Sequence, residues 1–277
     1  MHEKNEIRPG QSVELLKELH ILTRDGRMNQ DSRRKLKQVY HLYRFIEPIL
    51  QEIQRDHPDV QLVDVGAGKS YLGFILYDLF FKAQATGTGA CVHGIETRAE
   101  LVAKSRELAV RLGFDGMRFL DRPMAEAGSA PELPDRIDIV TALHACNTAT
   151  DDAIRFALAR RAPFIVLVPC CQAEVAAVLR RHKARTLANP LAELWRHPIH
   201  TREFGSHVTN VLRCLQLQAH GYDVSVTELV GWEHSMKNEL IVARQENRPG
   251  RVAAERLRAL LNEFGLETLR ERFFVPG

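Results

Sequence analysis

Residues 61–70 read QLVDVGAGKS, and this stretch decides the fold. An apolar run carries Asp64 near its end, glycines stand at Gly66 and Gly68, and a helical pattern starts at Tyr71. That order predicts a strand, a tight glycine turn and a helix, which together form the nucleotide-binding edge of a doubly wound α/β sheet. Gly66 can adopt a positive φ, and Gly68 leaves room for a ligand to approach the backbone.

Three ligand classes compete for this turn. A phosphate-binding P-loop needs Gly, four residues and then Gly-Lys-Ser/Thr, but Val63 stands where the first glycine is required. A dinucleotide fingerprint needs a third glycine where this chain has Tyr71. An S-adenosylmethionine loop has an acid-x-Gly-x-Gly pattern, and a cationic ligand without phosphate explains the acid Asp64 at the strand end. The S-adenosylmethionine interpretation therefore leads, and an ordinary strand-to-helix turn is the simplest alternative.

A second acid is expected to hold the ribose hydroxyls at the end of the next strand. The short apolar run 90–96 closes on Glu96. Its distance from the glycine turn exceeds the roughly 20 residues that are typical of the dinucleotide fold, and the extra length lies in the loop 87–89. Residues after the third strand are candidates for the adenine side. The predicted cofactor-binding residues are Asp64, Gly66, Ala67, Gly68, Glu96, Asp121, Met124 and His144.

Composition describes an ordinary globular protein. Hydrophobic residues make up 45% of the chain and charged residues 26%, and the net charge of +3 does not by itself require a nucleic-acid partner. We find no apolar stretch long enough to span a bilayer and no signal-peptide pattern, so we expect a cytoplasmic protein without a membrane partner. The cysteines are odd in number and scattered, which indicates reduced thiols. They are Cys91, Cys146, Cys170, Cys171 and Cys214.

The order of predicted elements indicates a mostly parallel α/β sheet. Five strands alternate with helices between residues 60 and 168, and a hairpin of strands at 224–230 and 240–243 follows. A final hairpin on a parallel sheet is typical of the Rossmann-like methyltransferase fold, whose last strand runs antiparallel. We predict a helical N-terminal extension (1–58), a methyltransferase domain (59–246) with a helical insertion (173–220), and C-terminal helices (247–277). In finer detail, helices are predicted at 11–22, 32–55, 70–83, 97–112, 122–128 and 149–160.

Two unusual segments follow the fourth and fifth strands, where open α/β sheets bind ligands. Residues 143–151 read LHACNTATD, and residues 169–172 read PCCQ. Together with the turn at 64–69 and the segment 238–241, they resemble the methyltransferase group that contains the eukaryotic tRNA 2′-O-methyltransferases and related methyltransferase-like proteins. The resemblance covers residues 60–243 and implies S-adenosylmethionine as cofactor. Gln172 stands where the tRNA enzymes have a histidine, and their N-terminal zinc-finger cysteines are missing here.

Catalytic roles at this edge stay open between chemical and structural alternatives. His144 can act as a general base on the acceptor or as a structural hydrogen-bonding group. Gln172 can orient an acceptor amide or base edge, and Lys237 can face a developing negative charge or lie exposed. Asp151 is predicted to cap the helix that follows it, with Thr148 and Thr150 as rivals. We predict no metal site, since adjacent cysteines are awkward tetrahedral ligands.

The acceptor is the least defined part of the prediction. Basic clusters at 33–37, 180–185 and 248–258 can follow a phosphate backbone or form solvated helix faces. The family resemblance favours RNA as the methyl acceptor. A protein or small-molecule acceptor is the alternative, as is a non-catalytic module that binds S-adenosylmethionine and scaffolds a partner.

Overall fold

A single mixed sheet organises the computed structural model, which describes residues 7–83, 89–128, 130–143, 148–169, 173–181, 190–229, 239–248 and 250–274. The strand positions agree with the predicted ones to within a few residues. Among the described residues the strands are β1 (Gln61–Val65), β2 (Cys91–Glu96), β3 (Met117–Asp121), β4 (Ile139–Leu143), β5 (Phe164–Val168), β6 (Tyr222–Glu228) and β7 (Glu239–Gln245).

The strand order is β3-β2-β1-β4-β5-β7-β6, and among these strands β7 alone runs in the direction opposite to the other six. This arrangement confirms the predicted Rossmann-like methyltransferase fold. β6 precedes β7 in the sequence, but β7 lies between β5 and β6 in the sheet, with Leu167 of β5 opposite Ile241 of β7. Burial explains the choice: the apolar segment 240–243 is suited to an interior strand, whereas 225–228 is exposed at the edge.

Helices cover both faces of the sheet. The first predicted helix, 11–22, is shorter in the structure, because the chain turns at His20 with φ of 53° and the amides of Ile21 and Leu22 return to the Leu16 carbonyl. The described helices are α1 (Val13–Glu18), α2 (Gln30–Asp56), α3 (Tyr71–Leu79), α4 (Ala99–Leu112), α5 (Met124–Ala127), α6 (Ala149–Ala159), α7 (Glu174–Arg181), α8 (Pro198–Ala219), α9 (Arg251–Glu263) and α10 (Arg270–Phe273). None of them combines the length and apolar composition that crossing a membrane requires.

Alternating side chains of the strands divide the core into two layers. Leu62 packs with α1, α2, α3 and α4 on one face, whereas Val63 packs with α5, α6 and α8 on the other. Because strand side chains alternate, Asp64 lies on the same face of the sheet as Leu62, which is the first layer. Glu239 lies on the same face as Ile241 and Val63, which is the second layer. The two layers thus set which helices each polar strand-end residue meets.

A third hydrophobic cluster lies outside the second layer. It joins α7, α8, α9 and α10, so the predicted insertion and the predicted C-terminal helices pack against each other. The insertion contributes α7, a 3₁₀ segment (Pro190–Trp195) and α8 among the described residues. The buried members of this cluster are Val175, Val178, Leu179, Trp195, Val208, Leu212, Leu257, Leu261, Leu266, Leu269 and Phe273.

The contact between α8 and α9 depends on Gly250. A Cβ atom at this position would lie 2.2 Å from the Gln218 carbonyl oxygen and 2.4 Å from that of Ala219. Because backbone cannot yield as a flexible side chain does, we expect Gly250→Ala to lower the free energy of unfolding by about 3 kcal/mol. Urea denaturation measures this difference.

Gly128→Ala is the matched control for this prediction. Gly128 has a helical φ of −59°, and an added Cβ would meet only Phe156, at 3.9 Å. We expect its stability to stay within about 0.5 kcal/mol of the wild type. Equal stability of the two variants would contradict the close approach of α9 to the end of α8.

Candidate functional site

The glycine turn after β1 adopts the predicted conformation. Gly66 and Gly68 both have positive φ angles, 64° and 58°. The Ala67 amide donates to the Ile95 carbonyl at 3.0 Å, which holds the turn against the end of β2. The turn therefore lies at the carboxyl ends of β1 and β2, at the edge where ligands of open α/β sheets bind.

Asp64 is a buried carboxyl group just before this turn. Its side chain accepts a hydrogen bond from the Thr141 hydroxyl at 2.7 Å, and the residue is only 2% exposed. Burial raises the pKa of Asp64 to about 7, and the Thr141 hydrogen bond opposes that rise only in part. No described Lys, Arg or His forms an ion pair with it. A cationic ligand at the turn would restore the ionised form.

Glu96 closes β2 and is surrounded by donors. Its carboxylate accepts hydrogen bonds from the backbone amides of Gly68 (2.8 Å), Thr97 (3.0 Å) and Arg98 (3.1 Å). The Arg98 guanidinium adds an ion pair at 3.0 Å. Burial opposes ionisation, but the hydrogen bonds from Arg98 and from the Gly68 amide outweigh it and hold the pKa of Glu96 below its usual value. Glu96 is therefore a pure acceptor at neutral pH.

Gly68 leaves the turn without a side chain next to Glu96. A Cβ on Gly68 would lie in ordinary contact with both side chains, 3.7 Å from Arg98 Nη2 and 4.0 Å from Glu96 Oε2. Two acids and a bare backbone turn suit a ligand that carries a positive charge and hydroxyl groups. They suit a phosphate poorly, since the ionised Glu96 would repel it.

Ser70, the last residue of the turn, is held in a strained position. It has a φ of 52°, it is fully buried, and its hydroxyl has no hydrogen-bond partner among the described residues. We expect Ser70→Gly to raise the free energy of unfolding by about 1 kcal/mol, because glycine tolerates this φ. Thermal unfolding measures the change.

Ser70→Ala separates the two contributions to this effect. It removes the unpartnered hydroxyl but retains a Cβ at positive φ, so it isolates the backbone strain by difference. If Ser70→Gly proves no more stable than Ser70→Ala, the left-handed conformation of Ser70 is contradicted.

A family model described as a methyltransferase domain matches residues 34–178, which is more than half of the chain. The chain belongs to this family of S-adenosylmethionine-dependent methyltransferases. The match runs from α2 into α7 and includes the glycine turn, Asp64 and Glu96. The residues of the turn also fit the cofactor on their own chemistry, as the two acids and the glycine backbone at Gly66 and Gly68 indicate.

Individual relatives of the chain are distant. A mouse protein, the glutathione S-transferase C-terminal domain-containing protein, is 25% identical over 151 residues, which are 54% of this chain; the match spans 21% of the relative's length. The SAH-bound methyltransferase PaMTH1 of Podospora anserina is 12% identical, with a TM-score of 0.44 over 85% of this chain and 87% of its own. The SAH-bound magnesium protoporphyrin IX methyltransferase of Synechocystis PCC 6803 is 15% identical, with a TM-score of 0.43 over 85% and 96%.

Three further residues that the sequence predicts to bind the cofactor lie near Glu96. Asp121 is exposed at the end of β3 and is the register partner of Glu96. Met124 begins α5 and packs, half-buried, against the Val63 layer. Ala67 is half-buried within the glycine turn. The structure thus brings these residues to one edge, and their contact with the cofactor stays a prediction.

The predicted catalytic residues lie outside the described residues. They are His144, Gln172 and Lys237, and the same holds for Cys146, Cys170 and Cys171. The two described cysteines, Cys91 and Cys214, are half-buried free thiols, and burial raises the pKa of both, that of Cys214 to about 11. In the described ranges no group of three or more His, Cys, Asp or Glu could hold a metal ion.

The predicted capping role of Asp151 is wrong. Thr148 is the cap residue of α6 and makes no side-chain capping bond, while the Asp151 carboxylate accepts a hydrogen bond from Arg213 Nε at 2.7 Å. Asp151 stands in the first turn of α6 on the side that α8 covers, so the buried guanidinium is its partner. Sequence reasoning missed Arg213 and Thr141, because neither belongs to a motif; an arginine between apolar residues in mid-helix was the one available signal.

Proposed function

We propose that the chain transfers a methyl group from S-adenosylmethionine to an RNA acceptor. The observation that carries the transfer is the acid pair: buried Asp64 and ionised Glu96 flank the turn at Gly66 and Gly68. In this proposal Asp64 binds the ammonium group, and Glu96 accepts hydrogen bonds from the ribose hydroxyls. Asp121 and Met124 line the adenine side.

The bound cofactor supplies an electrophilic methyl group on a sulfonium, which is a good leaving group. The contribution of the chain is then mainly to hold the acceptor in line with that methyl group. We assign His144 to accept the proton that the acceptor loses, and Gln172 and Lys237 to orient the acceptor. Each of these three roles is an assignment by sequence position at the ends of β4, β5 and the β6–β7 connection.

RNA is the favoured acceptor for two reasons. The segments at 143–151 and 169–172 resemble those of tRNA methyltransferases. In addition, Lys69 in the turn after β1 is an exposed basic residue near the carboxyl edge, where a phosphate backbone could pass. A protein or small-molecule acceptor, and a scaffold without transfer, are the alternative outcomes of the test.

Calorimetric titration with S-adenosylmethionine, its demethylated product, NAD and ATP tests the cofactor. We expect Glu96→Gln to weaken S-adenosylmethionine binding about ten- to a hundredfold, because hydrogen bonds to a charged acceptor contribute about 1.5–3 kcal/mol each. Glu100→Gln, an exposed carboxylate in α4, is the control and should bind as the wild type does. Preference for NAD or ATP would overturn the assignment.

Transfer from tritiated S-adenosylmethionine into cellular RNA and protein fractions tests the acceptor. Label in RNA alone supports the proposal, and label in protein or small molecules replaces RNA by that class. Cofactor binding with no label in any fraction would identify a scaffold.

A further inference from the structure

A buried polar network joins three elements beside the carboxyl edge. Arg213 of α8 donates from Nε to Asp151 of α6 at 2.7 Å and from Nη1 to the Asn210 side-chain oxygen at 3.3 Å. Asn210 in turn donates to Glu239 Oε2 at 2.8 Å. We call Asp151, Arg213, Asn210 and Glu239 the α8 network. It links α6, α8 and β7 through side chains alone.

Exposure rises along the α8 network toward solvent. Arg213 is 0% exposed, Asp151 3% and Asn210 7%, whereas the Glu239 side chain is 37% exposed. His207 lies about one turn before Asn210 in α8, and its Nδ1 is 3.8 Å from Glu239 Oε1. An ion pair in the interior is weak evidence for a stabilising role, because its desolvation offsets its attraction. The α8 network instead holds the partly exposed Glu239 carboxylate in one position, which is useful if that carboxylate binds a ligand.

The sheet register places Glu239 at the ligand-binding edge. Leu143 of β4 pairs with Val168 of β5, and Leu167 pairs with Ile241 of β7, so Glu239 lies just beyond the end of β5. Two strand spacings separate β7 from β4, which is roughly 10 Å. Glu239 therefore lies at the same edge as the cofactor turn but on the far side of β4, away from β2 and Glu96.

The neighbour of Glu239 across the hairpin is a second carboxylate, Glu228. Like charges directly opposite each other on one face destabilise a sheet, so this pairing is unfavourable for folding alone. Folding would be served by a polar uncharged residue at either position. A negative charge kept at this edge suits a requirement of binding.

We propose that Glu239 contacts the methyl acceptor and accepts a hydrogen bond from an N–H group of it, and that Arg213 is the positioning residue that holds Glu239 through Asn210. The inference rests on the proposed methyl transfer. A carboxylate is an acceptor only, and the donors that match it are exocyclic amino and ring N–H groups of nucleobases. Glu239 is thereby a recognition residue on the acceptor side of β4.

Glu239→Gln tests the contact, with Glu246→Gln as its matched control. Glu246 follows the opposite end of β7, and glutamine at position 239 can still accept from Asn210. We expect Glu239→Gln to raise the KM for the cellular RNA fraction about tenfold and to leave the calorimetric Kd for S-adenosylmethionine within twofold. Unchanged KM in Glu239→Gln, or an equal rise in Glu246→Gln, overturns the contact.

The double variant D151L/R213M tests the positioning role. Replacing both partners by apolar residues avoids a buried unpaired charge, so the protein should fold, whereas Arg213→Met alone leaves one. We expect the Kd for S-adenosylmethionine to stay within twofold and the transfer to RNA to fall at least tenfold per folded molecule. Wild-type transfer by the double variant would show that the α8 network is only structural.

Measurements on the wild-type protein alone show whether the proposed function fails, independently of the Glu239 variants. Wild-type protein that binds no S-adenosylmethionine, or labels no fraction, overturns both the function and the inference. If the wild type labels protein instead of RNA, the same KM comparison is run with that fraction, and a KM unchanged by Glu239→Gln again overturns the contact.

Discussion

Asp64→Asn should make the protein more stable at pH 8 while it weakens cofactor binding. Asparagine can still accept the Thr141 hydrogen bond, but it removes a charge that is buried without a cationic partner among the described residues. Burial raises the pKa of Asp64 from 3.8 to about 7. At about 1.4 kcal/mol per pKa unit, ionising this group at pH 8 costs about 4 kcal/mol of stability, which the variant recovers.

The sign of the pH dependence follows from proton binding. Between pH 4 and pH 7 the folded protein holds a proton on Asp64 that the unfolded chain has released. The contribution of Asp64 to stability is therefore full below about pH 4 and is lost as the pH rises through 7. The stability difference between Asp64→Asn and the wild type should be small at pH 4 and largest at pH 8, as measured by urea denaturation across this range.

Cofactor binding should move in the opposite direction. We propose that Asp64 faces the ammonium group of S-adenosylmethionine, so its neutral replacement should weaken calorimetric binding about tenfold or more, or at least about 1.4 kcal/mol. Asp25→Asn removes an exposed carboxylate and should change neither property. A variant that binds S-adenosylmethionine as the wild type does would remove Asp64 from the cofactor site. If the variant is no more stable than the wild type at pH 8, Asp64 is not a buried ionised group in solution.

Arg213→Met should strongly destabilise the packing of α8 on α6. It leaves the Asp151 carboxylate buried without its guanidinium and deprives Asn210 of a donor. Breaking a buried pair from one side costs about 3–5 kcal/mol, whereas replacing both partners by apolar residues is often neutral. The double variant D151L/R213M should therefore regain most of the stability that Arg213→Met loses in urea denaturation.

Arg244→Met is the control for this prediction. Arg244 pairs with Glu52 at the surface, where both side chains are substantially exposed, and such pairs contribute at most about 1 kcal/mol. If Arg213→Met costs no more than Arg244→Met, the Asp151–Arg213 pair is not buried in solution.

Local signals explain why the central part of the fold was predictable. The glycine turn is encoded by steric rules, since Gly66 and Gly68 take φ angles that other residues avoid. Strand ends were predictable because apolar runs close on Asp64 and Glu96, and parallel strands bring such ends to one edge. These signals lie within ten residues of the feature that they predict. The family match over residues 34–178 agrees with that interpretation.

Partners of the buried polar groups were not predictable in the same way. Asp64 meets Thr141 across 77 positions, because β4 pairs beside β1 in a particular register. Asp151 was expected to cap its own helix, and only the packing of α8 on α6 shows that it pairs with Arg213 across 62 positions. A carboxyl group near a helix start suits both environments, so the local pattern could not choose between them.

The sequence by itself determined the class of the fold, the glycine turn and the acids near the ends of β1 and β2, because backbone sterics and hydrophobic periodicity act over a few residues. Only the tertiary structure decided that β7 enters between β5 and β6, that α8 covers Asp151, and that Glu239 stands at the ligand-binding edge. These choices depend on which surfaces bury the most apolar area together, and that comparison involves segments far apart in the chain.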